Sequence, residues 1–253
     1  MAERIDISNE ASRKELNYVL RKSFQSASIN FLIGSGCSVP AINPLGSIEK
    51  DIEKLLEEDR ELEAEQLMYK FLVPIAESNE KLTRGSSDTE TKETLSKYTA
   101  FLESVYQMLT KSKNNILPKK ANIFSTNYDL FIEKASEKFG VLFNLNDGFK
   151  RTPRLDSQFS FSVTEFFSTV SNIGHLYNYK VEIPSINVIK LHGSLGWGKR
   201  GNEIIFEIQD YLKHLKDNAH AISQATKNED DGLLSLLKDF NKQFKADSTP
   251  KCN

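Results

Sequence analysis

Short apolar runs alternate along this chain with stretches in which apolar residues recur at helical spacing, and that alternation predicts an α/β fold. Residues 8–27 place Leu16, Val19, Leu20 and Phe24 between charged residues at helical spacing. Ile29–Ile33 follows as a strand apolar enough to be buried on both faces. From about 47 to 113 the pattern turns helical, with Ile48, Ile52, Leu55 and Leu56 on one face, and Thr83–Asp88 breaks it as a loop. Strands are then expected at 121–125, 141–144 and 185–191, with a helix at 128–139. Residues 146–162 read as loop with one edge strand, where Arg151 and Arg154 are taken as solvated charges near a turn. Glu203–Ile208 reads as a further strand, and about 209–246 as helix before a fraying end. The fold class expected is α/β: a Rossmann-like parallel sheet with a helical insertion between its first and second strands. No internal repeat or low-complexity segment interrupts it.

Composition narrows the classes without choosing among them. At 253 residues the chain can bury a sizeable core, and length favours one large domain, here taken as 1–253. A net charge of −2 supplies no footprint for nucleic acid or an anionic membrane. Cys37 and Cys252 form no Cys-x-x-Cys pair, which excludes a zinc ribbon and argues against a disulfide framework. The first residues, MAERIDISNEASRKELN, lack the apolar centre of a signal peptide, and no apolar run reaches the ~20 residues of a membrane span. A cytoplasmic setting is therefore expected.

Candidate chemistry collects where three of the buried runs end. Ligands of open parallel α/β sheets bind beyond the carboxyl ends of the strands, so polar motifs distant in sequence can share one site there. The first motif is Gly34-Ser35-Gly36-Cys37-Ser38, whose glycines would let a phosphate approach the backbone. It lacks the third glycine of the dinucleotide fingerprint and has no Walker Gly-Lys-Ser/Thr, so a plain tight turn is an equal reading. The second is Ser125-Thr126-Asn127-Tyr128-Asp129, in which Asn127 and Asp129 could engage a ribose or simply cap the next helix. The third is Leu191-His192-Gly193-Ser194: histidine as a residue type suits proton transfer, and Gly193 leaves room for a substrate. His175, His214 and His220 have no comparable context.

Together, in this order, the three motifs resemble the sirtuin superfamily, and more closely the zinc-less sirtuin-like domains of bacterial antiphage defence proteins, over about residues 29–198. The resemblance implies a Rossmann-like NAD site. Gly34, Ser35, Gly36, Cys37 and Ser38 would cover the cofactor, Asn127, with Thr126 and Asp129 beside it, would contact the nicotinamide ribose, and His192, followed by Gly193, would be essential for chemistry. Deacylating members follow the histidine with zinc-holding cysteines, whereas Gly193–Ile208 contains none, so no zinc is expected. Their glycine loop also runs into a Gly-Ile-Pro-Asp-Phe-Arg type segment, where this chain has Ala41-Ile42-Asn43-Pro44-Leu45-Gly46. Nothing after Trp197 matches the family's adenosine-binding segment, and the chain is therefore expected to be a piece of a longer protein.

The activity so implied is hydrolysis of NAD to nicotinamide and ADP-ribose, as the effector of a defence system. Asn127 would position the ribose and His192 would accept a proton. Cys37 as nucleophile ranks below Cys37 as a small residue beside the cofactor. Two alternatives stand: a sensor that binds NAD or an ADP-ribose derivative without turnover, and an NAD-dependent protein deacylase or ADP-ribosyltransferase. A homo-oligomer or a regulatory partner is expected, with the 47–113 helices as its natural contact.

Overall fold

A computed structural model describes residues 9–26, 29–44, 48–85, 87–111, 118–140, 142–151, 158–173, 180–208, 216–218, 220 and 224. Helix α1 (Glu10–Ser26) leads into strand β1 (Ile29–Ile33), and a 3-10 turn at Ser35–Ser38 follows. Three helices form the insertion: α2 (Ile48–Glu57), α3 (Glu61–Thr83) and α4 (Thr89–Lys111). The chain continues through β2 (Lys120–Ser125), α5 (Phe131–Ser136), β3 (Asn144–Asn146), β4 (Phe149–Lys150) and β5 (Ser160–Phe161). A second 3-10 turn (Val163–Phe167), the hairpin β6 (Ser171–Ile173) and β7 (Lys180–Glu182), β8 (Ser185–Lys190), β9 (Trp197–Arg200) and β10 (Glu203–Phe206) complete it.

The parallel sheet has the order β1-β2-β8-β3, and every pairing in it is parallel. Alternation sorts its side chains. Ile29, Ile33, Ala121, Ile123, Ile186 and Val188 are buried on one face with Leu102 and Val105 of α4 and Phe131 and Ile132 of α5. Phe31, on that same face, meets Phe101 of α4 edge-on with ring centroids 5.2 Å apart. The opposite face carries a polar row: Asn122 donates to Asn30 at 2.8 Å, and Asn187 donates to Asn122 at 2.8 Å. Ile33 is level with Ser125, and Ser125 with Lys190. Three strand ends therefore stop at one edge.

A second, antiparallel sheet, β4-β5-β10-β9, gathers Phe149, Phe161, Trp197 and Phe206 into an aromatic cluster. Gly148 has φ 83°, and a Cβ there would come within 2.4 Å of the Phe161 ring, so only glycine fits.

Several expectations shift. The strand expected at 141–144 is Asn144–Asn146, because Phe143 is a core residue of the turn after α5, packed on Tyr106 and Phe139. The helix expected from 128 begins at Phe131, since the residues before it are held as a loop. Residues 146–162 supply two short strands where one was expected, and Trp197–Arg200 is a strand that the pattern did not announce. Beyond His192, the described strands join the antiparallel sheet. Arg154, His175, His214, Cys252 and most of 209–246 lie outside the described residues.

Candidate functional site

Backbone hydrogen bonds stitch the three strand ends together before any side chain acts. Thr126 N–H reaches Ile33 O at 3.1 Å, Leu191 N–H reaches Ser125 O at 2.8 Å, and Leu195 N–H reaches Tyr128 O at 2.9 Å. The glycine loop closes on itself, with Cys37 N–H on Gly34 O at 3.0 Å and Ile42 N–H on Ser38 O at 2.9 Å. These bonds bring residues 34–42, 125–130 and 191–195 together.

The side chains at this junction form one connected network. Asn127, only 7% exposed, donates through Nδ2 to Gly34 O at 3.1 Å and Ser38 Oγ at 3.0 Å, with Tyr98 Oη at 3.3 Å. Ser38 Oγ donates to Asp129 Oδ2 at 2.5 Å and lies 3.0 Å from Tyr98 Oη. With the Ser38 hydroxyl donating to the carboxylate, the phenol donates to Ser38. Asp129 also accepts Phe131 N–H at 3.3 Å, so it both caps α5 and joins the site, whereas Asn127 ties down the glycine loop instead of capping.

The helical insertion carries much of this junction. Asn79 of α3, fully buried, accepts Leu130 N–H at 2.8 Å. Ser78 Oγ donates to Ala41 O at 2.7 Å, and Thr94 Oγ1 of α4 accepts Ala41 N–H at 3.2 Å. Tyr98 of α4 stacks on Phe131 with centroids 5.7 Å apart and planes at 8°. Burial, reinforced by the Asp129 charge, pushes the Tyr98 phenol well above its ordinary range.

Beneath the second loop lies a buried cation. Lys190, its side chain 2% exposed, donates to Asp129 O, approaches Asn127 O at 3.4 Å and pairs with Glu133 at 3.4 Å. Burial raises the Glu133 carboxyl above the usual carboxylate range, and the Lys190 charge offsets only part of that rise. Glu133 Oε2 finds no hydrogen-bond partner among the described residues.

Above the network opens a cavity of about 500 Å³, lined by Ser35 and Ser38, by Thr126, Asn127, Tyr128 and Asp129, and by His192. Ile42, Pro44, Phe71 and Ile75 form an apolar wall beside them. The His192 ring lies 6.2 Å from that of Tyr128. Residues from all three sequence motifs thus meet at one cavity. Gly34, Gly36, Cys37 and Gly193 adjoin its lining without being part of it, and Cys37 is exposed. Arg151 needs correction: it is a fixed partner, not a merely solvated charge, bidentate to the buried Asp147 with both contacts at 2.7 Å, because a carboxylate removed from water there requires a counter-charge.

Sequence reasoning missed Tyr98, Lys190, Glu133, Asn79 and the apolar wall. Lys190 had left a sign, a lone lysine inside the apolar run SINVIKL just before His192. Tyr98 left none, since in KYTAFL it is one more apolar-face residue of a helix.

Residues 121–236 match a family model described as a SIR2-like domain. The match supports a sirtuin-like assignment for this segment, and it spans the Asn127 and His192 loops while leaving the Gly34–Ser38 loop outside. No curated protein matches the chain. Among the described residues there is no cluster of His, Cys, Asp and Glu able to hold a metal ion, and no helix is long and apolar enough to cross a membrane.

Proposed function

We propose that this chain is one NAD-binding domain that cleaves the N-glycosidic bond of NAD, giving nicotinamide and ADP-ribose, as the cytoplasmic effector of a bacterial defence system. The observation carrying this reading is the meeting of three strand-end motifs around a single cavity, in a segment that matches a SIR2-like domain. Its volume falls within the ~300–1,000 Å³ of small-molecule sites. The glycines add support: neither Gly34 nor Gly36 has a positive φ, and a Cβ on either would meet nothing closer than 3.8 Å among the described residues. The fold itself does not demand glycine there, whereas a ligand lying against the backbone does.

Nicotinamide leaves from a cationic pyridinium, so little acid catalysis is required and the work is to stabilise an oxocarbenium-like ribose. Asp129, 3% exposed, lines the cavity, and its carboxylate would offset that positive charge. With Asn127 Nδ2 committed to the protein, its Oδ1 is the atom left to orient a ribose hydroxyl. Water attacks the anomeric carbon, the glycosidic electron pair departs with nicotinamide, and the water proton passes to His192 and then to solvent.

Nicotinamide release and NAD binding measured together test this. His192→Ala should bind NAD within a few-fold of wild type and lose about 100- to 10,000-fold in turnover. Turnover retained in that variant refutes the mechanism. The commitment of Asn127 to the loops favours a second reading, a sensor whose ligand reports loop geometry, and wild-type binding without turnover would select it. Regulation by self-association or by a partner belongs to the same proposal, since an uncontrolled NAD-cleaving enzyme would poison its host.

A further inference from the structure

We propose that Lys190 is a positioning residue for the cavity, holding the Asn127–Asp129 loop at its working height from beneath. This rests on the NAD-cleaving reading above for its kinetic part only. A lysine buried at the end of a central strand is costly unless its three protons are used. Here they are directed at Asp129 O, at Asn127 O 3.4 Å away, and at Glu133, 3.4 Å away.

Two of these acceptors are backbone carbonyls of the loop whose side chains line the cavity. Peptide planes fixed by one ammonium fix the directions in which Asn127 and Asp129 project. Those directions matter, because Asn127 must reach Gly34 O and Ser38 Oγ while Asp129 accepts a hydrogen bond from the Ser38 hydroxyl. Lys190 also stands two residues before His192 on the same chain, so one side chain relates the histidine strand to the asparagine loop.

Glu133 has a different part. With one oxygen on Lys190 and the other unpartnered among the described residues, it offsets the buried ammonium and is not itself one of the residues lining the cavity. The two jobs of Lys190, balancing a charge and holding a loop, are therefore separable by mutation. Lys190→Met alone would strand the Glu133 carboxyl and risk failure to fold. Lys190→Met with Glu133→Gln removes both charges and keeps the volume.

The experiment uses the full chain carrying this double substitution, beside Glu133→Gln alone. Backbone amide exchange is followed by mass spectrometry, and nicotinamide release is followed with NAD. Loop holding predicts that amides of 126–130 exchange about tenfold faster in the double variant while β1 and β2 stay protected. It further predicts kcat lower by about 100-fold with KM within about threefold, as a displaced reacting geometry requires. Glu133→Gln alone leaves the Lys190 ammonium without its counter-charge but with an amide oxygen to donate to, so the urea midpoint should fall while the 126–130 amides exchange no faster relative to β1 and β2 than in wild type. Wild-type exchange at 126–130 in the double variant would overturn the proposal, as would full recovery of kcat. Should wild type release no nicotinamide, the NAD-cleaving reading fails, and loop exchange still decides the role of Lys190.

Discussion

The contact between Tyr98 and Ser38 joins the helical insertion to the glycine loop, and a double-mutant cycle across it measures what that joint is worth. Tyr98→Phe keeps the ring stacked on Phe131 and deletes only the hydroxyl, whose neighbours are Ser38 Oγ at 3.0 Å and Asn127 Nδ2 at 3.3 Å. Both neighbours retain other partners, so no buried group is orphaned and the loss should be about 1 kcal/mol. Ser38→Ala strips the Asp129 carboxylate of its 2.5 Å donor, a charge-assisted bond worth about 1.5–3 kcal/mol. Once Ser38 is gone, the phenol has lost its acceptor. The second substitution should then cost almost nothing, a coupling of about 1 kcal/mol. Urea titration of the four proteins supplies the energies. Thermal midpoints should fall by about 2–4 °C per kcal/mol for a chain of this size. Additivity within about 0.3–0.5 kcal/mol would refute the claim that the insertion and the loop share an energetic bond.

The glycine argument predicts that Gly34→Ala and Gly36→Ala keep or slightly raise the melting temperature, since the shapes are compatible and the unfolded chain loses freedom. NAD affinity, read by calorimetry, should nevertheless fall at least about tenfold, and unchanged affinity would remove the glycines from the binding argument. For Glu133, the folded carboxyl takes up its proton at higher pH than the unfolded one. The stability it contributes is present below the ordinary glutamate range, near ~4.3, and is lost as pH rises through the raised value. Urea midpoints of wild type minus Glu133→Gln should therefore decline from about pH 4 to pH 8, and a flat difference would contradict the burial argument.

Periodicity was enough to find β1, β2 and β8, because a strand buried in a parallel sheet is a short apolar run whatever its partners. The strand ends followed, and with them the junction of Asn127, Asp129 and His192. Partnership across long sequence separations was not legible in this way. Trp197–Arg200 pairs with the adjacent Glu203–Phe206, but the Trp197 ring is covered by Phe149 and Phe161, which stand far back in the chain and which a local window does not register. Phe143 misled for the converse reason, being apolar because it fills the core from a turn. Tyr98 joins the site across 60 residues of chain, and only the packing of α4 against the loops reveals it.

The amides of Asn30, Asn122 and Asn187 set an alignment tolerance for the whole cavity edge of the sheet. In a parallel sheet each residue advances the chain by about 3.3 Å, so a slip of two residues would keep the apolar faces paired yet carry one strand end about 6.6 Å past its neighbour. Hydrophobic burial resists such a slip only weakly, because alternate apolar side chains trade places. The asparagines resist it directly: each bond at 2.8 Å exists in one register alone, and Leu32, two residues on from Asn30, offers no amide in exchange. A slip of β8 would withdraw Lys190 from the Asn127 loop and carry His192 out of line with the cavity. A row of polar side chains on the far face of the sheet thus acts as a vernier for the cavity at its edge.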